Sequence, residues 1–277
     1  MKIELASSYG FCFGVKRAIK IAENAKDAAT IGPLIHNNEE INRLKLNFNV
    51  KTLQGIDELS EEKKAIIRTH GITKTDLARL KSSKVNVIDA TCPFVTKPQQ
   101  ICEKMSKEGY DIVIFGDENH PEVKGVKSYA AGKVYVILEE SELDGIKLSQ
   151  KVAVVSQTTR KVEKLMQIVN YLMLKTKEVR VFNTICNATL ENQEAVKDLA
   201  QKADVMVIIG GKNSSNTKQL YLISKNFCDD SYLIENESEL EGAWFEGKNH
   251  CGISAGASTP DWIIQDVINK IKELKPD

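Results

Sequence analysis

The chain has 277 residues, 42% hydrophobic and 27% charged, the balance of an ordinary globular protein with room for two or three small domains. Its 38 Lys and Arg offset 38 Asp and Glu, so the total charge gives no sign of a nucleic-acid binder. Met1-Lys2-Ile3-Glu4-Leu5 does not read as a signal peptide, and apolar runs such as Val205-Met206-Val207-Ile208-Ile209 are too short to span a bilayer, so a cytoplasmic protein with no membrane contact is expected.

In chain order, residues 2–5 have a strand's pattern and lead to Cys12. A helical pattern over 15–25 follows, then an apolar run over 30–36 that passes through Gly32. Phe48-Asn49-Val50 reads as a short strand before the acidic turn Asp57-Glu58-Leu59, and 65–71 as a strand entering a polar loop. After a helix, a strand over 85–88 delivers Cys92. The order then recurs: helix 95–108, strand 112–116, strand 134–138, acidic turn 140–143, strand and loop 152–159, a helix, and strand 179–182 before Cys186. It recurs again as helix 191–203, strand 205–210, strand 232–234, acidic turn 237–240, strand and loop 251–258 and helix 262–274.

From cysteine to glycine the spacing is 20 in the first copy and 24 in the other two, and the word Glu-Ser-Glu-Leu occurs twice, 97 residues apart. The third copy lacks a final strand, and the strand at 2–5 has the missing pattern. The expected fold is therefore α/β: three pseudo-three-fold-related α/β units with small parallel sheets around a centre, divided as 13–92, 93–186 and 187–277, the last completed by 1–12. Strand ends and their loops would face that centre, where open α/β sheets bind ligands.

Six cysteines in a cytoplasmic chain leave metal ligation, redox chemistry or burial. Cys12, Cys92 and Cys186 occupy equivalent positions. Three thiolates can hold three irons of a [4Fe–4S] cluster and leave the fourth open as a Lewis acid. Zinc is the rival, though its motifs usually show close Cys-x-x-Cys pairs, and none occurs here. Cys102, Cys228 and Cys251 do not repeat and read as packing residues. Of four histidines, His36, His70 and His120 fall in loops after equivalent strands and suit an anion. Ser214, Ser215 and Asn216, before a helix, offer hydroxyls, an amide and N–H groups to phosphate oxygens, and the turn carrying Ser258 offers a second such set; small polar residues there are also ordinary caps. Glu122 follows His120-Pro121, where a raised pKa would suit a proton donor, with Thr158 to relay or orient the proton; the plain alternative is a solvated acid at a helix N-terminus.

Nine sequence words then match a known family. Gly10-Phe11-Cys12-Phe13-Gly14-Val15, Gly32-Pro33-Leu34-Ile35-His36-Asn37, Arg68-Thr69-His70-Gly71 and Asp89-Ala90-Thr91-Cys92-Pro93 resemble 4-hydroxy-3-methylbut-2-enyl diphosphate reductases. So do His120-Pro121-Glu122-Val123, Ser156-Gln157-Thr158-Thr159, Thr184-Ile185-Cys186-Asn187-Ala188-Thr189, Asn213-Ser214-Ser215-Asn216 and the stretch from Ala255 to Asp261. The resemblance runs in order along essentially the whole chain. One departure is Asn192-Gln193, where the family often has Arg-Gln.

The resemblance implies the last step of the methylerythritol phosphate route to isoprenoids, in which two electrons and protons remove an allylic hydroxyl as water. It implies one [4Fe–4S] cluster on Cys12, Cys92 and Cys186, Glu122 as proton donor and Thr158 at the substrate hydroxyl. His36, His70, His120, Ser214, Ser215, Asn216 and Ser258 match substrate-binding residues. The chain carries no flavin or nicotinamide motif, so a separate ferredoxin or flavodoxin is the expected electron donor. A non-redox iron–sulfur hydro-lyase would also remove a hydroxyl at an open iron, and electron consumption separates the two. An iron–sulfur sensor fits the set of anion-binding loops less well.

Overall fold

The inner strands of this chain are short and buried on both faces, the pattern of parallel sheets covered by helices on either side, while edge strands such as Asn86–Asp89 and Glu178–Val181 carry polar residues. A computed structural model describes residues 1–59 and 62–275, so the last two residues of the expected third unit lie outside the described part. In chain order the first elements are β1 (Lys2–Leu5), α1 (Phe13–Ala25), β2 (Ala28–Ile31), α2 (Asn38–Phe48), β3 (Val50–Leu53), β4 (Lys64–Ile67), α3 (Lys74–Ser82) and β5 (Asn86–Asp89). Next come α4 (Pro93–Lys107), β6 (Asp111–Phe115), α5 (Pro121–Lys127), β7 (Val134–Ile137), β8 (Lys151–Ser156), α6 (Val162–Lys175) and β9 (Glu178–Val181). The chain closes with α7 (Asn187–Ala200), β10 (Val205–Ile209), α8 (Ser215–Lys225), β11 (Ser231–Ile234), β12 (His250–Ala255) and α9 (Asp261–Leu274).

Among the described residues these strands form three four-stranded sheets, β3-β2-β4-β5, β7-β6-β8-β9 and β11-β10-β12-β1, every pairing parallel. The order is the same in each, which is the repeated α/β class that the sequence words predict. In the third sheet the last place is filled from the N-terminus, with Lys2 opposite His250 and Leu5 opposite Ile253.

One expected strand is corrected. Phe48 ends α2, because Ile41, Leu44 and Phe48 share one helical face, and Asn49 turns the chain at φ +52 before β3 starts at Val50.

Contacts divide the chain into two compact units, one of residues 1–16, 35–43 and 187–277 and one of 17–34 and 44–186. The first holds the sheet β11-β10-β12-β1. Period-2 alternation along β10 sends Val205, Val207 and Ile209 to Ile263, Ile264, Val267 and Ile271 of α9. Met206 and Ile208 face Ala195, Val196 and Leu199 of α7 and Leu220 of α8. Each such buried Val, Ile or Leu contributes about 1.5–3 kcal/mol, which strands of four to six residues need for order. The second unit holds the other two sheets, with cores around Ile112, Ile114, Ala153 and Val155 and around Ile31, Ala65 and Ile67.

The repeated acidic word is an architectural device. In each copy the later glutamate accepts a backbone N–H four residues earlier: Gln54 to Glu58 at 2.9 Å, Leu138 to Glu142 at 2.8 Å and Glu235 to Glu239 at 2.8 Å. These carboxylates close the tight turn after each second strand and satisfy an otherwise orphaned donor.

Candidate functional site

Each of the three repeated cysteines sits at the end of a loop, just before or at the start of a helix, and each is tied to its own copy in the same way. The Cys12 N–H donates to Ala257 O at 3.2 Å, that of Cys92 to Thr69 O at 3.0 Å and that of Cys186 to Thr158 O at 3.1 Å. Those three acceptors lie in the loops after β12, β4 and β8, the third-position strands of their sheets. All six cysteines are outside disulfides, but they divide into two classes. Cys12, Cys92 and Cys186 are half-buried, whereas Cys102, Cys228 and Cys251 are buried. Burial pushes the Cys102 and Cys251 thiols up to about 12 and raises that of Cys228, so these three are poor thiolate ligands.

In the second compact unit the loops after β4, β6 and β8 carry His70, His120 and Thr158, and Glu122 lies in the first turn of α5. His120 caps α5, its Nδ1 accepting from the Glu122 N–H at 3.2 Å, and Pro121 at the first helical position fixes the turn. The rings of His70 and His120 meet edge to face with centroids 5.4 Å apart. Glu122 is 2% exposed and its carboxylate accepts from the Thr158 N–H at 2.7 Å and from Thr158 Oγ1 at 2.8 Å. Burial raises the Glu122 carboxyl above its ordinary value, while the two Thr158 bonds and the Arg160 charge pull it back. The result is a buried carboxyl group at the start of α5 with its proton affinity raised and both oxygens oriented by Thr158, whose own carbonyl holds the Cys186 N–H.

In the first compact unit the segment 35–43 brings His36 against the third sheet's loops. The His36 carbonyl accepts from Ser258 Oγ at 3.2 Å, and it lies 2.4 Å from where a Cβ on Gly211 would stand. Only glycine admits that approach. Ser214 caps α8 through the Thr217 N–H, Ser215 is the first helical residue, and Asn216 follows, 4% exposed. Neither the oxygen nor the nitrogen of the Asn216 amide has a hydrogen-bond partner among the described residues. A buried amide left so costs about 1–3 kcal/mol, a cost that a polar group hydrogen-bonded there would offset.

Two residues of the second compact unit are not singled out by sequence reasoning. Arg68, partly buried with its charge disfavoured by that burial, lays its guanidinium over Gly32 and reaches Gly71 O at 3.4 Å. Gln157 is buried, and its Oε1 accepts from the Asp117 N–H and from Arg160 Nε, each at 3.1 Å. Their signal in the sequence is position alone, Arg68 adjoining Thr69 and Gln157 adjoining Thr158. Asn192, the departure from the family pattern, is buried on α7 and accepts from Ser8 Oγ at 2.6 Å, in the loop that leads to Cys12.

A family model described as LytB protein matches residues 3–272. The chain belongs to the LytB protein family. It is 82% identical over 274 residues to the 4-hydroxy-3-methylbut-2-enyl diphosphate reductase of Campylobacter curvus (strain 525.92), covering 99% of this chain and 100% of that one. A solved structure of an (E)-4-hydroxy-3-methyl-but-2-enyl diphosphate reductase is 44% identical, covers 99% of this chain and 100% of its own, and superposes with a TM-score of 0.73. The structure of the E-1-hydroxy-2-methyl-but-2-enyl-4-diphosphate reductase from Plasmodium falciparum is 26% identical, with a TM-score of 0.92 over 98% of this chain and 88% of that one. As a LytB protein the chain is an enzyme of the oxidoreductase class. Among the described residues no helix is long and apolar enough to cross a membrane.

Proposed function

We propose that this chain reduces 4-hydroxy-3-methylbut-2-enyl diphosphate. Two electrons and two protons release the allylic hydroxyl as water and leave isopentenyl diphosphate and dimethylallyl diphosphate, the last step of the methylerythritol phosphate pathway. The names and full-length identity of the relatives support the reaction. The observation that carries it is the equivalent seating of three half-buried cysteines, one of them on the Thr158 carbonyl beneath the buried Glu122.

A [4Fe–4S] cluster fits this donor set: three thiols at repeated loop ends, distinct from three buried thiols of raised pKa. Cys12, Cys92 and Cys186 are the ligands we assign. Such a cluster, held by three thiolates, supplies single electrons and a Lewis-acidic iron without a protein ligand. Glu122 holds the proton that leaves with the hydroxyl oxygen, and Thr158 Oγ1 orients that carboxyl and meets the substrate hydroxyl. In one compact unit His36, Ser214, Ser215, Asn216 and Ser258 bind the substrate's anionic end, and in the other His70 and His120 do so.

The wider assignment keeps three α/β units, 13–92, 93–186 and 187–277 with 1–12, and a cytoplasmic protein with no nucleic-acid or membrane partner. Electrons come from a separate ferredoxin or flavodoxin. The deciding experiment is anaerobic purification with iron and sulfide analysis, paired with turnover of the allylic diphosphate by a reduced one-electron donor. Four irons per chain and donor-dependent release of both products are expected. Turnover by cluster-free protein would sink the reading.

A further inference from the structure

Glu40 is a charged side chain with only 1% of its surface exposed, and it lies four residues after His36 in the first turn of α2. Asn37, also buried, caps that turn by accepting the Glu40 N–H at 2.9 Å. In a capping box the glutamate at this position turns back to the cap's own N–H. Here its oxygens are directed elsewhere. Arg43 Nη2 donates to Oε1 at 2.6 Å, and Arg43 Nε at 2.9 Å and Trp262 Nε1 at 3.2 Å donate to Oε2.

The indole contact is the informative one, because Trp262 lies 222 residues away at the start of α9 and is itself 42% exposed. A tryptophan that exposed serves packing poorly, yet its N–H is aimed at a buried carboxylate. The same end of α9 is preceded by Ser258, whose Oγ donates to the His36 carbonyl. A third tie joins Asn236 Nδ2 to Glu39 Oε1 at 3.2 Å. The stretch from His36 to Glu40 is thereby fastened at two points, at His36 by the Ser258 hydroxyl, with Gly211 packed against the same carbonyl, and at Glu40 by Trp262. A carboxylate with three donors fixes direction in a way that an apolar contact of the same volume does not.

We infer that Glu40 and Trp262 are positioning residues, a strut that holds His36 where it meets the anionic end of the substrate. The inference rests on the reductase reading for the nature of that anion. Neither residue touches substrate. They act through the first turn of α2, and their loss lets His36 wander rather than removing a ligand group.

The test uses the cluster-loaded protein under anaerobic conditions, with inorganic pyrophosphate as the calorimetric probe and KM for the allylic diphosphate as the second readout. Trp262→Phe keeps an aromatic ring and removes the donor. It should weaken pyrophosphate binding and raise KM by about tenfold, with kcat moving much less. In a His36→Ala background the same substitution should change binding by less than about twofold, since the residue it positions is gone. Glu40→Gln, which keeps the side chain's shape, should show the same dependence on His36. Equal losses in both backgrounds, or a Trp262→Phe protein that binds pyrophosphate as the parent does, would overturn the strut while leaving the reductase reading in place. Parent protein that neither binds pyrophosphate nor turns over the allylic diphosphate would overturn the reductase reading and the strut with it.

Discussion

Thr158 gives Glu122 two hydrogen bonds, its backbone N–H to Oε1 at 2.7 Å and its hydroxyl to Oε2 at 2.8 Å, while its own carbonyl accepts the Cys186 N–H at 3.1 Å. One residue therefore links the buried Glu122 carboxyl to a cysteine loop. Glu122→Gln keeps the shape and an acceptor for the backbone N–H but removes the acid. Steady-state turnover should fall about 100-fold or more, with iron and sulfide content unchanged. Normal turnover by an iron-replete variant would remove Glu122 from the mechanism.

The raised pKa of Glu122 carries a pH signature. Its folded value lies above the unfolded carboxyl value of about 4.3, so the folded state binds the proton more readily. The stability this gives is complete below the unfolded value and is lost as pH rises through the folded one. Denaturant unfolding from pH 4 to 8 should show parent stability declining relative to Glu122→Gln as pH increases. A constant difference would mean that the group does not titrate in that range.

Thr158→Val is nearly isosteric and removes one donor to a buried carboxylate. It should cost about 1–3 kcal/mol in unfolding free energy and move the pH midpoint of kcat upward, because the remaining interactions favour the ionised form less. A midpoint that moved down would contradict the hydrogen-bond assignment.

Gly211 faces the His36 carbonyl at a distance no side chain tolerates. Gly211→Ala should cost about 1–3 kcal/mol by overpacking and should also weaken pyrophosphate binding. Gly132, where an added Cβ meets nothing within 4 Å, is the control, and Gly132→Ala should stay within about 0.5 kcal/mol of the parent. Thermal melts and calorimetry on the pair would check both values.

The two classes of cysteine predict selective chemistry. In cluster-free protein, iodoacetamide at neutral pH should modify Cys12, Cys92 and Cys186 well before the buried Cys102, Cys228 and Cys251, and rebuilding the cluster should protect the first three. Peptide mass spectrometry reads this directly. Early modification of Cys102 would break the distinction.

The sequence by itself determined the repeated α/β class and the equivalence of Cys12, Cys92 and Cys186, because both follow from the order of local patterns along the chain. Local windows were weakest where a helix and a strand abut: Phe48 looked like strand until the face shared with Ile41 and Leu44 assigned it to α2. The meaning of the Glu-Ser-Glu-Leu word was also hidden, since a cap is recognised by the N–H it accepts and not by its letters. Only the tertiary structure decided that Glu122 is buried on Thr158, 36 residues on, that Ser8 reaches Asn192, and that Glu40 is met by Trp262. Each of those contacts joins segments far apart in the chain. No periodicity or propensity encodes them, because they arise from packing that brings distant loops within hydrogen-bond range.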